Sequence, residues 1–230
     1  MSPSRVISIK MIRNRILVGG ALLLAAMACS LPGLGTPPPV PPGGEGKVLF
    51  RDDFSNPQSG WEVGEYVGGE VGYRNGYYYV VSYGNGKTMW GVANRSFTDV
   101  VIDLDTTQVS GPANNNTDYG VICRTADPES GIGYYLLISG DGYYAVVKGT
   151  DQGYDWLVDF TKSSAIRQGN TSNHIRAVCQ GSKLSLTVNG VLLAEVEDSE
   201  FTGGDIALTA TSYENTPTEV RFDNLVVTAP

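Results

Sequence analysis

The chain has 230 residues, of which 41% are apolar and only 17% charged, with 29 glycines and 13 tyrosines. That length and apolar share suffice for a packed core, and the Gly- and Tyr-rich mixture favours strands and tight turns over helices. Sixteen basic against 24 acidic residues leave a net charge of −8, which argues against nucleic acid and anionic lipid head groups as partners and otherwise reads as ordinary solubility.

The first segment separates from the rest. Arg5, Lys10, Arg13 and Arg15 precede the apolar run ILVGGALLLAAMA, from Ile16 to Ala28, a signal-peptide layout whose hydrophobic centre is too short for a typical membrane span. Cys29 follows at once, and AAMAC resembles the lipobox of bacterial lipoproteins, in which the cysteine takes a diacylglyceryl group and becomes the new N-terminus. Ala26 stands where that motif usually has Leu. Ala26-Met27-Ala28 is also an A-x-A cleavage site, a reading that yields a secreted, unlipidated protein. The next segment, SLPGLGTPPPVPPGGEG, is a spacer that cannot pack; at ~3.1 Å per residue, extended polyproline II would hold a domain roughly 50 Å from an anchor. The expectation is a surface-anchored lipoprotein with a signal peptide at 1–28, a lipidated Cys29 and linker at 29–46, and a folded domain at 47–230. Each buried lipid CH₂ contributes about 0.8 kcal/mol to such an anchor. Cleavage removes four basic residues, so 16 falls to 12 and the net charge moves from −8 to near −12.

From Lys47 onward the pattern is short apolar alternation punctuated by Gly, Asn and Asp, with no amphipathic helix, no internal repeat and no second domain. In chain order the predicted strands are KVLFRDDF, EVGYRN, YYYVVSY, TMWGVAN, DVVIDLDTTQV, DYGVICRTA, GYYLLIS, YYAVVKG, DWLVDF, HIRAVCQ, KLSLTV, VLLAEVE, DIALTA and VRFDNLVV. Their regular spacing indicates an all-β sandwich. Asn75-Gly76, Asp141-Gly142 and Asn189-Gly190 accept the positive φ of hairpin turns, pairing GYYLLIS with YYAVVKG and LSLTV with VLLAEV.

Strand side chains alternate faces. In HIRAVC, parity puts Ile175, Ala177 and Cys179 on one side and His174 and Arg176 on the other; in DYGVICR, Tyr119, Val121 and Cys123 lie together, opposite Ile122 and Arg124. Cys123 and Cys179 both face inward, and in an exported domain they form a bridge where their strands are neighbours, leaving Cys29 for lipid. His174, the only histidine, faces outward with no Ser, Asp or Cys arranged around it in the sequence, so HIRAVC reads as scaffold.

YGVICR, GYYLLISGDGYYAVVKG, HIRAVCQGSKLSLTVNG and VRFDNLVV, with the opening FRDDFSNPQSGWEV, together resemble the concanavalin A-like (laminin-G-like) domains of bacterial surface proteins, including those related to 3-keto-disaccharide hydrolase domains. The resemblance covers Lys47 to Pro230 and implies an antiparallel two-sheet jelly-roll sandwich. It does not imply an activity, because the superfamily holds lectins, glucanases and adhesive modules alike.

Three sets of residues are candidates for chemistry. Retaining glucanases of this superfamily carry E-x-D-x-x-E along one strand; the nearest match is VIDLDTTQ, where Asp103 and Asp105 share a face and Gln108 takes the third acidic position. The acidic run EVEDSE, Glu195 to Glu200, reads as a solvated turn. Asp52 and Asp53 approach Asp223 and Asn224 if the first and last strands pair, as is usual in jelly rolls, and such oxygen ligands suit a structural Ca²⁺; turn capping and pairing with Arg51 and Arg221 is the competing reading. There is no CxxC pair or His cluster. The third set is aromatic. Tyr135 and Tyr144 are expected to point outward on one parity, with Trp90 and Trp156 at the rim, offering rings for stacking on sugar faces. The reading with the widest support is non-catalytic binding of a glycan or cell-wall polymer through these aromatics, without a cofactor. A glycoside-cleaving enzyme using Asp103 and Asp105, and a structural protein-contact module, are the alternatives.

Overall fold

The computed structural model describes residues 46–230; the signal peptide, Cys29 and nearly all of the linker lie outside them. The described residues form fifteen strands and no helix, arranged in two antiparallel sheets. Numbered in chain order, the first sheet runs β10 (Gly153–Lys162), β9 (Tyr143–Thr150), β8 (Ile132–Ser139), β7 (Thr117–Asp127), β14 (Gly204–Ser212) and β5 (Lys87–Phe97). The second runs β13 (Val191–Glu197), β12 (Lys183–Val188), β11 (Ser172–Gln180), β6 (Val100–Ser110), β15 (Thr218–Thr228), β4 (Tyr77–Ser82), β3 (Gly69–Arg74) and β2 (Gly64–Tyr66). The remaining strand, β1 (Val48–Asp52), pairs with β15, so the first and last strands meet.

Turn chemistry sets the register. Asn75 and Gly76, and likewise Asn189 and Gly190, both take positive φ, the two-residue hairpin turn that Asn-Gly favours. At Asp141-Gly142 only the glycine does so, and Gly142 N–H donates to Ser139 O at 2.9 Å. The β8–β9 hairpin therefore closes through three residues, in the geometry of a type I turn followed by a left-handed residue.

The main core lies between the sheets. Tyr119, Val121 and Cys123 of β7 and Tyr134, Leu136 and Ile138 of β8 meet Ile102 and Leu104 of β6 and Ile175, Ala177 and Cys179 of β11. Cys123 and Cys179 are bonded, with Cα atoms 6.8 Å apart. Their strands belong to different sheets, so the bridge staples one sheet to the other across the sandwich. Phe54, Trp61, Tyr73 and Tyr78 close one part of this core with ring centroids 5.2–6.4 Å apart, which accounts for the aromatic opening FRDDFSNPQSGWEV.

Strict alternation fails at Arg124, whose φ is +56°. The ladder between β7 and β8 shifts register just after Cys123. The guanidinium is buried and donates to Thr98 O, Gly181 O, Phe201 O and Asp99 Oδ1 at 2.7–3.3 Å. One side chain thus ties three loops together, in the planar fork geometry that suits Arg to such sites.

Candidate functional site

The central strands of the six-stranded sheet, β7, β8 and β14, are buried on both faces. A second apolar cluster covers its outer face: Trp90 and Val92 of β5, Ile122 of β7, Tyr135 and Leu137 of β8, Ala145 and Val147 of β9, and Ala207 of β14. This explains the unbroken apolar run in GYYLLIS, since a strand covered on both sides loses its polar alternation. Tyr135 is seated by close backbone. Its hydroxyl donates to Gly131 O at 2.6 Å, and a Cβ on Gly149 would stand 2.8 Å from its ring. Trp90 donates Nε1–H to Pro128 O at 2.8 Å.

At the margin of this cluster a cleft opens, lined by Thr88, Asp118, Tyr135, Tyr154, Trp156, Thr211 and Tyr213 among others. Its enclosed space is about 10 Å³, room for one water-sized group. Tyr135 and Tyr154 meet edge to face with centroids 5.5 Å apart. Trp156 packs against Phe160 at 5.3 Å and remains 38% exposed at the mouth. The polar floor is Asp118, on β7, directly opposite Thr211 of β14 and Ser139 of β8.

Asp118 is only 3% exposed. Tyr213 donates its hydroxyl to Oδ2, whereas Oδ1 has no hydrogen-bond partner. Burial raises the carboxyl from its ordinary 3.8 to about 6, against the lowering effect of the Tyr213 and Thr211 hydroxyls beside it. The Tyr154 hydroxyl is likewise buried, beside the hydroxyls of Tyr135 and Thr88. A ligand carrying a small polar group would therefore meet an unsatisfied carboxylate oxygen in a cleft lined by rings, where desolvation has already occurred.

The aromatic residues singled out from the sequence divide here. Tyr135 points away from the main core as expected, but is buried rather than displayed. Tyr144 pairs with Ile138 and packs against the main core, so the two tyrosines do not share a face. Trp90 is completely buried instead of at the rim, and Trp156 alone stands at the edge with its ring in solvent. Asp118, Tyr154 and Tyr213 were missed. The available signal was an Asp heading the apolar run DYGVIC, with outward parity.

Asp103 and Asp105 lie on β6, on the outer face of the nine-stranded sheet, away from the aromatic cleft. Cross-strand register sets His174 opposite Asp105 and Arg176 opposite Asp103. His174 Nδ1 lies 2.9 Å from Asp105 Oδ1 and Nε2 lies 3.5 Å from Asp103 Oδ1; Arg176 donates to Asp103 at 2.8 Å, and Asn224 to Asp105 at 2.9 Å. His174 is outward as expected but does have aspartates around it, a correction to its reading as an isolated residue. The hydrogen bond to Asp103, with that to Asp105, raises its pKa from 6.5 to about 9 against partial burial. Gln108, in the third position of the glucanase-like pattern, is buried and accepts a hydrogen bond from Thr117 Oγ1 at 3.0 Å. Grooves of about 630 and 520 Å³ flank this region. They are larger than the aromatic cleft, but Asp103 and Asp105 are already held by the partners named above.

Asp52 is drawn inward, accepting from Phe54 N–H at 2.8 Å and Ser59 Oγ at 2.5 Å. Asp53 accepts from Ser55 through both its N–H and its hydroxyl, and Asp223 from Asn224 N–H at 2.7 Å. Although β1 and β15 pair, these carboxylates are occupied by turns, and Arg221 pairs with Glu219 at 2.9 Å. Among the described residues no three His, Cys, Asp or Glu side chains converge on a metal position. The EVEDSE run is more than a solvated turn: Asp198 accepts from Tyr134 at 2.5 Å, and Lys148 reaches Asp198 and Glu200 at 3.1 and 2.8 Å.

No family model and no curated protein matches the sequence. Solved structures do match. A protein of unknown function with a galectin-like fold from Bacillus subtilis aligns with a TM-score of 0.60 at 13% identity, covering 80% of this chain and 96% of that one. The β-glucanase of Bacillus licheniformis aligns at 0.58 and 12% identity, covering 82% and 100%. The carbohydrate-binding module CBM66 from Bacillus subtilis aligns at 0.56 and 15% identity, covering 74% and 96%. The fold is a concanavalin A-like jelly-roll sandwich. At these identities the likeness is one of fold, so function is argued from the site.

Proposed function

We propose that this protein is a surface-anchored lipoprotein whose jelly roll binds a glycan or cell-wall polymer without cleaving it, through the outer face of the six-stranded sheet. The observation that carries the reading is the exposed Trp156 ring beside a cleft of buried and half-buried tyrosines and a carboxylate with one unsatisfied oxygen. A ring of this kind stacks on the apolar face of a sugar, and the polar atoms behind it fix orientation. Two of the three solved structures described above are named for carbohydrate binding or glucan cleavage, which is consistent with this use of the fold. The interior disulfide fits an exported domain, and the segment around Cys29, with its Pro-rich spacer, supports an anchor. The cleft contains a single carboxylate, whereas retaining cleavage needs two carboxyl groups on one face about 5–5.5 Å apart.

The test is an array of bacterial, plant and host glycans probed with the protein and with Trp156→Ala. Saturable binding that the variant loses while keeping its melting temperature supports the proposal. Silence on every glycan, or binding unaffected by the variant, overturns it.

A further inference from the structure

We propose, resting on the glycan-binding reading above, that the cleft recognises an amino sugar bearing a free primary amine, with the ammonium group seated between Asp118 Oδ1 and the rings of Tyr135, Tyr154 and Trp156. Size, charge and surroundings point to the same group. The enclosed space of about 10 Å³ admits one water-sized group, which matches an ammonium head and excludes an acetamide. Asp118 is almost completely buried, yet Oδ1 has no partner. No Lys, Arg or His is among the groups acting on its carboxyl; the titratable groups lining the cleft are the phenols of Tyr135, Tyr154 and Tyr213. A buried carboxylate without a counter-ion is unusual, and a cation from a ligand would complete it. The aromatic rings lining the same cleft add attraction for a positive group and none for its acetylated counterpart. The Tyr154 hydroxyl, buried beside those of Tyr135 and Thr88, can also accept from the ammonium, which has three donors to distribute. The sugar ring carrying the amine would then lie against the exposed Trp156 face.

Calorimetric titration at pH 7 with glucosamine oligomers and with their N-acetylated equivalents, on the wild-type protein, Asp118→Asn and Trp156→Ala, tests this. Asp118→Asn is expected to weaken the glucosamine oligomer by about thirtyfold or more, as for removal of one partner of a buried charge pair. The acetylated oligomer is expected to bind at least tenfold more weakly than the amine form, and to be insensitive to Asp118→Asn. Affinity for the amine form should also fall between pH 7 and pH 5, as the Asp118 carboxyl, held near 6 by burial, takes up a proton. Equal affinity for both oligomers, a wild-type affinity in Asp118→Asn, or a lysine-rich peptide binding as tightly as the sugar amine would overturn the assignment. If neutral glycans bind through Trp156 and Asp118→Asn changes nothing, glycan binding stands and the amine site falls; if no glycan binds in any arm, both fall.

Discussion

Asp118→Asn tests the physics of the cleft independently of any ligand. Burial raises the carboxyl from 3.8 to about 6, a shift of about two units, and each unit corresponds to 1.36 kcal/mol between the charged and neutral forms. In the absence of ligand the ionised carboxylate therefore lowers stability at pH 7 by about 3 kcal/mol. Because the folded pKa lies above the unfolded one, this loss is absent below about pH 4, accumulates between about pH 4 and 6, and is complete at 7. Asparagine has nearly the same shape and no charge to desolvate. Urea denaturation of the two proteins from pH 4 to 8 should show the variant more stable by about 3 kcal/mol at pH 7, with an unchanged m-value and a gap that closes toward pH 4. For a domain of this size the corresponding rise in Tm is roughly 6–12 °C. A variant that is equally or less stable at pH 7, or a gap independent of pH, would refute the claim that Asp118 is a buried carboxylate without a counter-charge.

Other expectations follow from the same structure. Replacing Cys123 and Cys179 together by alanine opens a loop of 56 residues and should remove about 4 kcal/mol in the chain-entropy model, read as a lower Tm under non-reducing conditions; an unchanged Tm would contradict a formed bridge. Arg124→Met abandons three carbonyls and Asp99 and should destabilise by about 3 kcal/mol or more, which chemical denaturation would register. The folded pKa of His174 is raised to about 9, so its contribution is complete below pH 6.5 and is lost as pH rises through 9. Its side chain is 49% exposed, and screening limits that contribution to about 1 kcal/mol. The stability difference between wild type and His174→Gln should shrink accordingly from pH 6 to 9.5. With Asp52, Asp53 and Asp223 held in turns, titration with Ca²⁺ is expected to give no heat and no shift in Tm, and a saturable signal would reinstate the calcium site.

Much of the architecture was legible in the sequence because local rules act strongly along it. Every strand longer than three residues was marked by apolar alternation or, as in GYYLLIS of β8, by a short unbroken apolar run; β2, only Gly64–Tyr66, is too short to display a period. Parity placed both cysteines inward, since it needs only one strand at a time. The errors arose where information had to cross between strands. A two-residue turn at Asp141-Gly142 would put Tyr144 on the face of Tyr135; the three-residue turn at 140–142 shifts the pairing by one residue, so that Tyr144 stands opposite Ile138 on the core face and Tyr135 opposite Val147. His174 looked isolated because Asp103 and Asp105 sit about seventy residues earlier and arrive beside it through β6–β11 register. Arg124 escaped its expected face through a left-handed backbone that no composition rule announces. Asp118 was visible in the sequence, but its significance depends on the rings that β8, β10 and the segment after β14 bring beside it.

Tryptophan emission offers the most direct test of whether the outer face of the six-stranded sheet is the binding surface. Trp61 and Trp90 are buried and only Trp156 reaches solvent, so a glycan docking there should change the emission saturably, and Trp156→Phe should abolish that change. A glycan that binds by calorimetry while leaving the emission of Trp156 untouched would contradict the account.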